Sequence, residues 1–125
     1  MEFLVLGIMG KRGSGKDTMA EHLRKKYGFH VLTYLDDVLS PTLKERGLEA
    51  TRENLINLAL EMRRECGKHV LTELICRKIK RSGLWAVSGV RYPEEVDYFK
   101  KCFDSDFKLI HIDCGTRKRF LRVRK

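Results

Sequence analysis

A glycine-rich stretch carrying a lysine is the part of this sequence whose residue types could do chemistry. It runs Gly-Lys-Arg-Gly-Ser-Gly-Lys-Asp-Thr over residues 10–18 and directly follows an apolar run. It matches the phosphate-loop pattern GxxxxGK[ST] except at the last place, where an Asp stands and a Thr comes one residue late. Glycines let successive backbone N–H groups approach phosphate oxygens, and the lysine adds a positive charge for the outer phosphates. The stretch predicts a polyphosphate site made by Gly10, Arg12, Gly13, Ser14, Gly15, Lys16, Asp17 and Thr18.

Asp17 stands where this pattern has a hydroxyl that ligates magnesium. A carboxylate is a stronger oxygen ligand for this ion, and the hydroxyl of Thr18 is an alternative ligand. Asp17 could instead complement the positive N-terminal end of the helix that follows. We predict that Mg²⁺ is a cofactor, with Asp17 and Thr18 as the metal ligands.

The elements that must position this stretch are a strand before it and a helix after it. Residues 3–9 are continuously apolar, as in a strand covered on both faces. Apolar side chains at helical spacing predict a helix over 16–27 that ends at Gly28. Further strands are predicted at 29–34, 84–88 and 107–113. Helices are predicted after Ser40 as N-cap, from the cap Thr51 to Gly67, and from Val70 up to Gly83. This alternation predicts a three-layer α/β/α sandwich with a parallel sheet.

Charged residues follow two of the predicted strands, at the edge where open parallel sheets bind ligands. Asp36 and Asp37 come after the second strand, and Arg91 comes after the third. We predict that Asp37 orients magnesium or accepts a proton, although a solvated turn also suits it. Arg91 could clamp a phosphate or make a surface salt bridge. Glu95 is expected to hold Arg91 or its loop.

Three segments carry a resemblance to a known family. The GxxGSGKDT motif with its Ala-Glu-x-Leu helix resembles the bacteriophage deoxynucleoside monophosphate kinases and related archaeal and bacterial P-loop proteins, known as AAA-family ATPases or dephospho-CoA kinases. Residues 46–55 are similar to the Arg-Gly-Leu-x-x-Thr-x-x-Asn segment of the archaeal and bacterial relatives, and residues 90–96 to the kinases' Val-Arg-Phe-Pro-Asn-Glu-Val run. The resemblance implies the P-loop NTP hydrolase fold of adenylate kinase, in which ATP donates its terminal phosphoryl group to a small acceptor.

The resemblance also implies roles for regions and residues. Residues 36–82 would form the acceptor-binding helical region, with Arg63 and Arg64 as candidate anion contacts or solvated side chains. Residues 116–125 resemble the start of the kinase lid, with Thr116 as its cap and the rest of the family's C-terminal part missing. The chain departs from the family at Ser40, where relatives often carry Arg, and at Ser88 and Gly89, where they usually carry Asp. The implied catalytic residues are Lys16, Asp37, Arg91, Arg119 and Arg122.

Composition restricts the partners. A length of 125 residues predicts one domain, and the net charge of +9 favours anionic partners such as nucleotides or coenzyme A precursors. No apolar run approaches the roughly 20 residues that cross a bilayer, so we expect a cytoplasmic protein with no membrane partner. The four cysteines have no metal-ligand spacing. Nucleic acid is the least favoured partner of the basic residues 117–125, and the expected state is a monomer or homodimer.

Together these features predict ATP-dependent phosphoryl transfer to a small phosphorylated acceptor, a (deoxy)nucleoside monophosphate. Dephospho-CoA kinase is the alternative if Asp37 is a base for a sugar hydroxyl. A nucleotide-binding module without turnover is a second alternative, because Ser40, Ser88 and the missing terminus weaken the catalytic case.

Overall fold

A five-stranded sheet forms the middle layer of the molecule. The structure, a computed structural model, describes residues 2–10, 15–114 and 119–124, with the backbone alone from residue 113 onward. The strands are β1 (Phe3–Gly10), β2 (His30–Thr33), β3 (Gly83–Val90), β4 (Phe107–Cys114) and β5 (Arg119–Arg124). Their order is β2-β3-β1-β4-β5, in which the first four are parallel and β5 is antiparallel to β4. The predicted parallel α/β architecture is confirmed.

The helices connect the parallel strands. They are α1 (Lys16–Tyr27), α2 (Ser40–Glu45), α3 (Arg52–Cys66), α4 (Val70–Cys76) and α5 (Pro93–Phe103). A π-helical segment, Leu35–Leu39, runs directly into α2, and a 3₁₀ turn, Asp104–Asp106, precedes β4. Among the described residues, no helix is long and apolar enough to cross a membrane.

Alternating side chains of the strands form two separate apolar cores. Val5 of β1 and Val87 of β3 belong to the larger core, which includes buried residues of α2 to α5. The smaller core combines Ile8 of β1 with Ala20 and Leu23 of α1. Because successive strand residues point to opposite faces, these two cores lie on opposite sides of the sheet and produce three layers.

The helix ends predicted from the sequence are confirmed at the start of α3 and wrong at Ser40 and at the end of α4. The Asn54 N–H donates to Thr51 Oγ1 over 3.1 Å, which confirms the predicted cap of α3. The prediction that Ser40 caps a helix is wrong, because the chain is already helical from Leu35 and Ser40 itself has φ −61° and ψ −45°. The predicted helix from Val70 up to Gly83 is shorter in the structure, where it ends at Cys76.

The C-terminal residues extend the sheet. The backbone of Arg119–Arg124 pairs with β4 as an antiparallel edge strand. Thr116, the predicted cap of the lid segment, lies outside the described residues. The interpretation of residues 116–125 as the start of a lid stays a prediction.

Candidate functional site

The predicted phosphate loop joins β1 to α1 at the carboxyl edge of the sheet. Gly15 precedes α1 with φ 98° and ψ 12°, a left-handed conformation that strains any residue with a Cβ. Lys16 is half-buried in the first turn of α1, and Asp17 and Thr18 beside it are exposed. Arg12, Gly13 and Ser14 lie outside the described residues. Gly10 and Gly15 thus flank the loop where the motif requires them.

A cavity of about 510 Å³ adjoins the start of α1. Its charged lining comes from four separate parts of the chain: α1, the segment after β2, α3 and the loop after β3. The structure therefore brings Arg91 to the same cavity as Lys16 and Asp17, although Lys16 and Arg91 are 75 residues apart in the sequence. The charged lining residues are Lys16, Asp17, Asp36, Arg63 and Arg91.

One part of the exposed lining of this cavity is apolar. Leu35, Ile56 and Leu60 line it with 51%, 48% and 57% of their surfaces exposed. Ile56 and Leu60 both lie on α3, four residues apart and therefore on one face of this helix. Three large apolar side chains exposed around one opening are typical of a surface that a ligand covers.

The two adjacent carboxylates after β2 have different environments. Asp37 Oδ2 accepts a hydrogen bond from the Thr33 N–H over 2.8 Å, and Thr33 Oγ1 accepts one from the Asp36 N–H over 3.0 Å. Asp36 lines the cavity, whereas Asp37 is not among its lining residues. The site-facing carboxylate of this pair is therefore Asp36, and the observed contact of Asp37 stabilises the turn at the end of β2.

A β-bulge shapes the end of β3. Ile8 is paired with Ser88 and Met9 with Val90, so Gly89 is an extra residue, and its φ is 101°. Bulges bend a strand and change the direction of the side chains that follow. Here the bulge lies between Ser88, a buried cavity residue, and Arg91.

Glu95 holds the backbone of the loop after β3 through hydrogen bonds. Its side chain is fully buried, and Oε1 accepts hydrogen bonds from the backbone N–H groups of Arg91 and Tyr92 over 2.9 and 3.1 Å. The expectation that Glu95 holds the Arg91 loop is confirmed. Its place in the first turn of α5 also complements the helix dipole.

Two further side chains extend these contacts towards β2. Thr72 Oγ1 donates to Glu95 Oε2 over 3.2 Å, and the Tyr34 hydroxyl lies 2.8 Å from Thr72 Oγ1. A carboxylate only accepts hydrogen bonds, so Thr72 donates to Glu95 and Tyr34 donates to Thr72. Burial, with a smaller effect of the Glu95 charge, raises the pKa of Tyr34 well above its ordinary value and keeps its proton in place. Sequence reasoning missed Thr72, whose partners are 38 and 23 residues away.

Arg63 completes this group, which we call the Glu95 network: Tyr34, Thr72, Glu95 and Arg63. Arg63 Nη2 lies 3.9 Å from Glu95 Oε2, and its guanidinium lies 4.9 Å from the centre of the Tyr92 ring. Arg64, the neighbouring candidate, is exposed and does not line the cavity. For Arg119 and Arg122 the structure describes the backbone alone, paired with Cys114 and His111.

Comparison with known proteins identifies the family. A family model described as an AAA domain matches residues 6–125. The chain belongs to this AAA domain family. Among curated relatives, this AAA domain is 38% identical over 128 residues to a UPF0200/UPF0201 protein of Archaeoglobus fulgidus, a match covering 99% of the chain and 39% of the relative. It is 34% identical over 126 residues to a UPF0200 protein of Methanocaldococcus jannaschii, covering 98% of the chain and 62% of that protein. The chain thus spans only part of the length of these relatives.

Solved structures agree on the fold. A gluconokinase from Sinorhizobium meliloti 1021 matches with a TM-score of 0.56 and 13% identity, over 90% of this AAA domain and 58% of the gluconokinase. Shikimate kinase from Aquifex aeolicus vf5 matches with a TM-score of 0.52 and 13% identity, over 90% and 61% of the two chains. At this identity the similarity establishes the P-loop kinase fold and not a shared substrate.

Proposed function

We propose that this AAA domain transfers the terminal phosphoryl group of ATP to a small phosphorylated acceptor, a (deoxy)nucleoside monophosphate. The main support for the proposal is the cavity, because a single cavity is lined both by the start of α1 and by the loop that contains Arg91. We call Lys16 and Asp17 the donor wall. Arg63, Arg91 and Tyr92 form the acceptor wall.

The chemistry of phosphoryl transfer suits these side chains. The reaction needs mainly positioning and neutralisation of charge, and little covalent chemistry from the protein. Lys16 would neutralise the outer phosphates of ATP at the positive end of α1. Arg91 would hold the acceptor phosphate, since a planar guanidinium binds it through two parallel hydrogen bonds. Arg119 and Arg122 are proposed to stabilise charge on the transferred group.

The oxygen ligands on the donor side fit magnesium. Asp17 is exposed next to Lys16, and Asp36 lines the same cavity. Within the described ranges no group of three His, Cys, Asp or Glu side chains could hold a metal, and Mg²⁺ is usually bound by one or two carboxylates together with phosphates and water. Asp17 and Thr18 are the proposed protein ligands, and the ion would neutralise charge on the outer phosphates.

The exposed apolar part of the cavity lining supports an acceptor with a flat or apolar body. A nucleobase could cover Leu35, Ile56 and Leu60, whereas a polyhydroxylated acid would lose hydration against them. The alternative acceptor, dephospho-CoA, depends on Asp37 as a base. The Oδ2 of that carboxylate already accepts a backbone hydrogen bond, and no contact among the described residues favours this alternative.

An acceptor panel with ATP and Mg²⁺ tests the proposal. ADP release is measured with deoxynucleoside and ribonucleoside monophosphates, dephospho-CoA, gluconate and shikimate. We expect turnover with at least one monophosphate, and a loss of turnover of about tenfold or more in Arg91→Gln, since charge-assisted hydrogen bonds are lost. Arg77→Gln, which changes an exposed arginine directly after α4, is the matched control and should keep full turnover. ATP binding without turnover on any acceptor would favour a non-catalytic nucleotide-binding module.

A further inference from the structure

Two of the four cysteines meet where α4 packs against α5. Cys76 is the last residue of α4, and Cys102 lies in the last turn of α5. Their thiol groups are hydrogen-bonded to each other, although the two residues are 26 positions apart in the sequence. Cys66, the last residue of α3, is exposed instead. The fold thus selects one pair of thiols and brings their sulfur atoms into contact.

The helix faces that carry these two thiols also carry a hydrogen bond between the helices. On α4, Thr72 lies one turn before Cys76. On α5, Glu95 lies two turns before Cys102. Residues at these spacings share one face of a helix. Because Thr72 donates to Glu95 over 3.2 Å, the thiol pair belongs to the same interface as the Glu95 network.

Other contacts fix the position of α5 beside α4. The ring of His69, directly before α4, stacks on the ring of Tyr98 in α5 with 5.5 Å between their centres. Beyond α4, Arg81 donates a hydrogen bond to the backbone carbonyl of Cys102, and its guanidinium lies 5.4 Å from the centre of the Phe103 ring. The helix is thus held at its middle and at its end, which keeps the two thiols close together.

The surroundings of the pair allow a reaction with a small oxidant. Both cysteines are half-buried and pack against the larger core, so each sulfur has apolar neighbours and an exposed side. Burial, followed by the charge of Cys102, raises the pKa of the Cys76 thiol well above its ordinary value. Cys76 therefore keeps its proton near neutral pH, and the first attack on an oxidant comes from Cys102.

We propose that Cys76 and Cys102 are a redox-sensitive site that forms a reversible disulfide between α4 and α5. The oxidant is a low-molecular-weight disulfide of the oxidised glutathione class. The Cys102 thiolate attacks one sulfur of this reagent and releases one molecule of its thiol. Cys76 then loses its proton to solvent as its sulfur attacks the Cys102 sulfur of the mixed disulfide, and the second reagent thiol leaves. The protein gives up two electrons and two protons, which reduce the reagent to two thiols.

Such a bond would act on the loop after β3. It would join the helices that supply Thr72 and Glu95, and Glu95 accepts the backbone N–H groups of Arg91 and Tyr92. A cross-link between distant residues restricts the unfolded chain and so stabilises the folded protein. In reducing surroundings the two thiols stay free, and the bond forms as the ratio of oxidised to reduced small thiols rises. The inference does not depend on the proposed phosphoryl transfer.

Peptide mapping of the oxidised protein tests the proposal. The folded wild type is incubated with oxidised glutathione, the remaining thiols are blocked, and the protein is digested without reductant for mass spectrometry. We expect the peptides of Cys76 and Cys102 to be joined and two hydrogen atoms lighter than the two reduced peptides together. Cys66 should carry a glutathione adduct, because it is exposed and serves as the internal control. Absence of the joined pair would overturn the proposal.

Thermal unfolding measures the effect of the bond. The oxidised wild type should melt about 5 °C or more above the reduced protein. The control Cys66→Ser should keep this rise, whereas Cys76→Ala and Cys102→Ala should each melt at one temperature with and without oxidised glutathione. If either alanine variant does not fold, the wild type and Cys66→Ser still decide the result. An oxidised wild type that melts no higher than the reduced one would overturn the proposal.

Amide hydrogen exchange tests the effect on the loop after β3. The N–H groups of Arg91 and Tyr92 should exchange severalfold more slowly in the oxidised wild type, because the cross-link restrains the helix that carries Glu95. Reduction with dithiothreitol should restore the faster exchange. Equal exchange before and after oxidation, in protein whose disulfide has been mapped, would contradict this connection between the thiol pair and the loop.

Discussion

On the donor wall the polar groups come from consecutive residues at the start of one helix, whereas the acceptor wall combines α3 with the loop after β3, and its members Arg63 and Tyr92 are 29 residues apart. Lys16 and Asp17 need only β1, the loop and α1 to be in place. Arg63, Arg91 and Tyr92 depend on the buried contacts of Glu95. ATP binding at the donor wall should therefore depend on single charged side chains. Acceptor binding at the acceptor wall should depend on the contacts within the Glu95 network.

The largest expected effect comes from removing the carboxylate at the centre of that network. Glu95→Ala leaves two backbone N–H groups and Thr72 without their acceptor and Arg63 without the carboxylate that balances its charge, and should lower the free energy of unfolding by about 3 kcal/mol or more. Acceptor binding should be lost, while ATP binding remains. Urea unfolding and calorimetry check both. Glu94→Ala, at an exposed carboxylate 3.9 Å from Lys68, should change stability by less than about 0.5 kcal/mol.

A backbone change should disturb the acceptor wall with a smaller effect on stability. Gly89→Ala places a Cβ on a residue with φ 101°, which costs about 1–2 kcal/mol, although the new atom would meet Tyr34 Cδ2 only at an ordinary 3.5 Å. Gly28→Ala, at φ 71° beyond α1, is the matched control for strain. Both variants should lose similar stability in urea, but only Gly89→Ala should weaken monophosphate binding. Equal monophosphate binding by the two variants would show that the bulge at Gly89 does not position the acceptor wall.

Removing one hydroxyl should have a still smaller effect, with a distinctive pH dependence. Tyr34→Phe removes the hydrogen bond to Thr72 and should cost about 1 kcal/mol near neutral pH. Burial raises the pKa of Tyr34 in the folded state above the ordinary value near 10, so above that pH the unfolded chain loses this proton while the folded protein keeps it. The contribution of the hydroxyl is therefore fully present below pH 10 and falls as the pH rises further.

This pH dependence is tested by measuring the free energy of unfolding of the wild type and Tyr34→Phe in parallel between pH 7 and 11. The wild type should lose its advantage over the variant above pH 10. A difference that stays constant or grows with pH would contradict a buried, neutral Tyr34.

The smallest effect on stability is expected at the end of β2. Asp37→Asn retains an oxygen that can accept the hydrogen bond of the Thr33 N–H, so it should cost less than about 1 kcal/mol. Asp36→Asn removes a charge from the cavity and should reduce Mg²⁺-dependent turnover more than Asp37→Asn does. Steady-state kinetics over a range of Mg²⁺ concentrations compares the two. A greater loss in Asp37→Asn would support the catalytic role predicted for that residue from the sequence.

Sequence alone could predict the features that depend on neighbouring residues. The β1-loop-α1 unit, the Thr51 cap and the contact between Glu95 and the N–H of Arg91 all join residues within a few positions of one another. The prediction of an N-cap at Ser40 was wrong because a polar residue before Pro41 resembles a cap even when the residues before it are already helical. The recruitment of Thr72 and the placement of Arg63 beside Glu95 depend on contacts between distant elements, for which local patterns carry no signal. Asp36 and Asp37 differ in their contacts with Thr33 within one turn, and two adjacent carboxylates in a sequence do not show which of them makes which contact.

The central claim is that the start of α1 binds the phosphates of ATP, and calorimetry with ATP and Mg²⁺ tests it most directly. The proteins compared are the wild type, Lys16→Ala and the control Lys25→Ala, which removes an exposed lysine from the last turn of the same helix. We predict that the wild type and Lys25→Ala bind ATP alike, and that Lys16→Ala binds it about ten- to a hundredfold more weakly. Equal affinity in Lys16→Ala, or no binding by the wild type, would contradict the account.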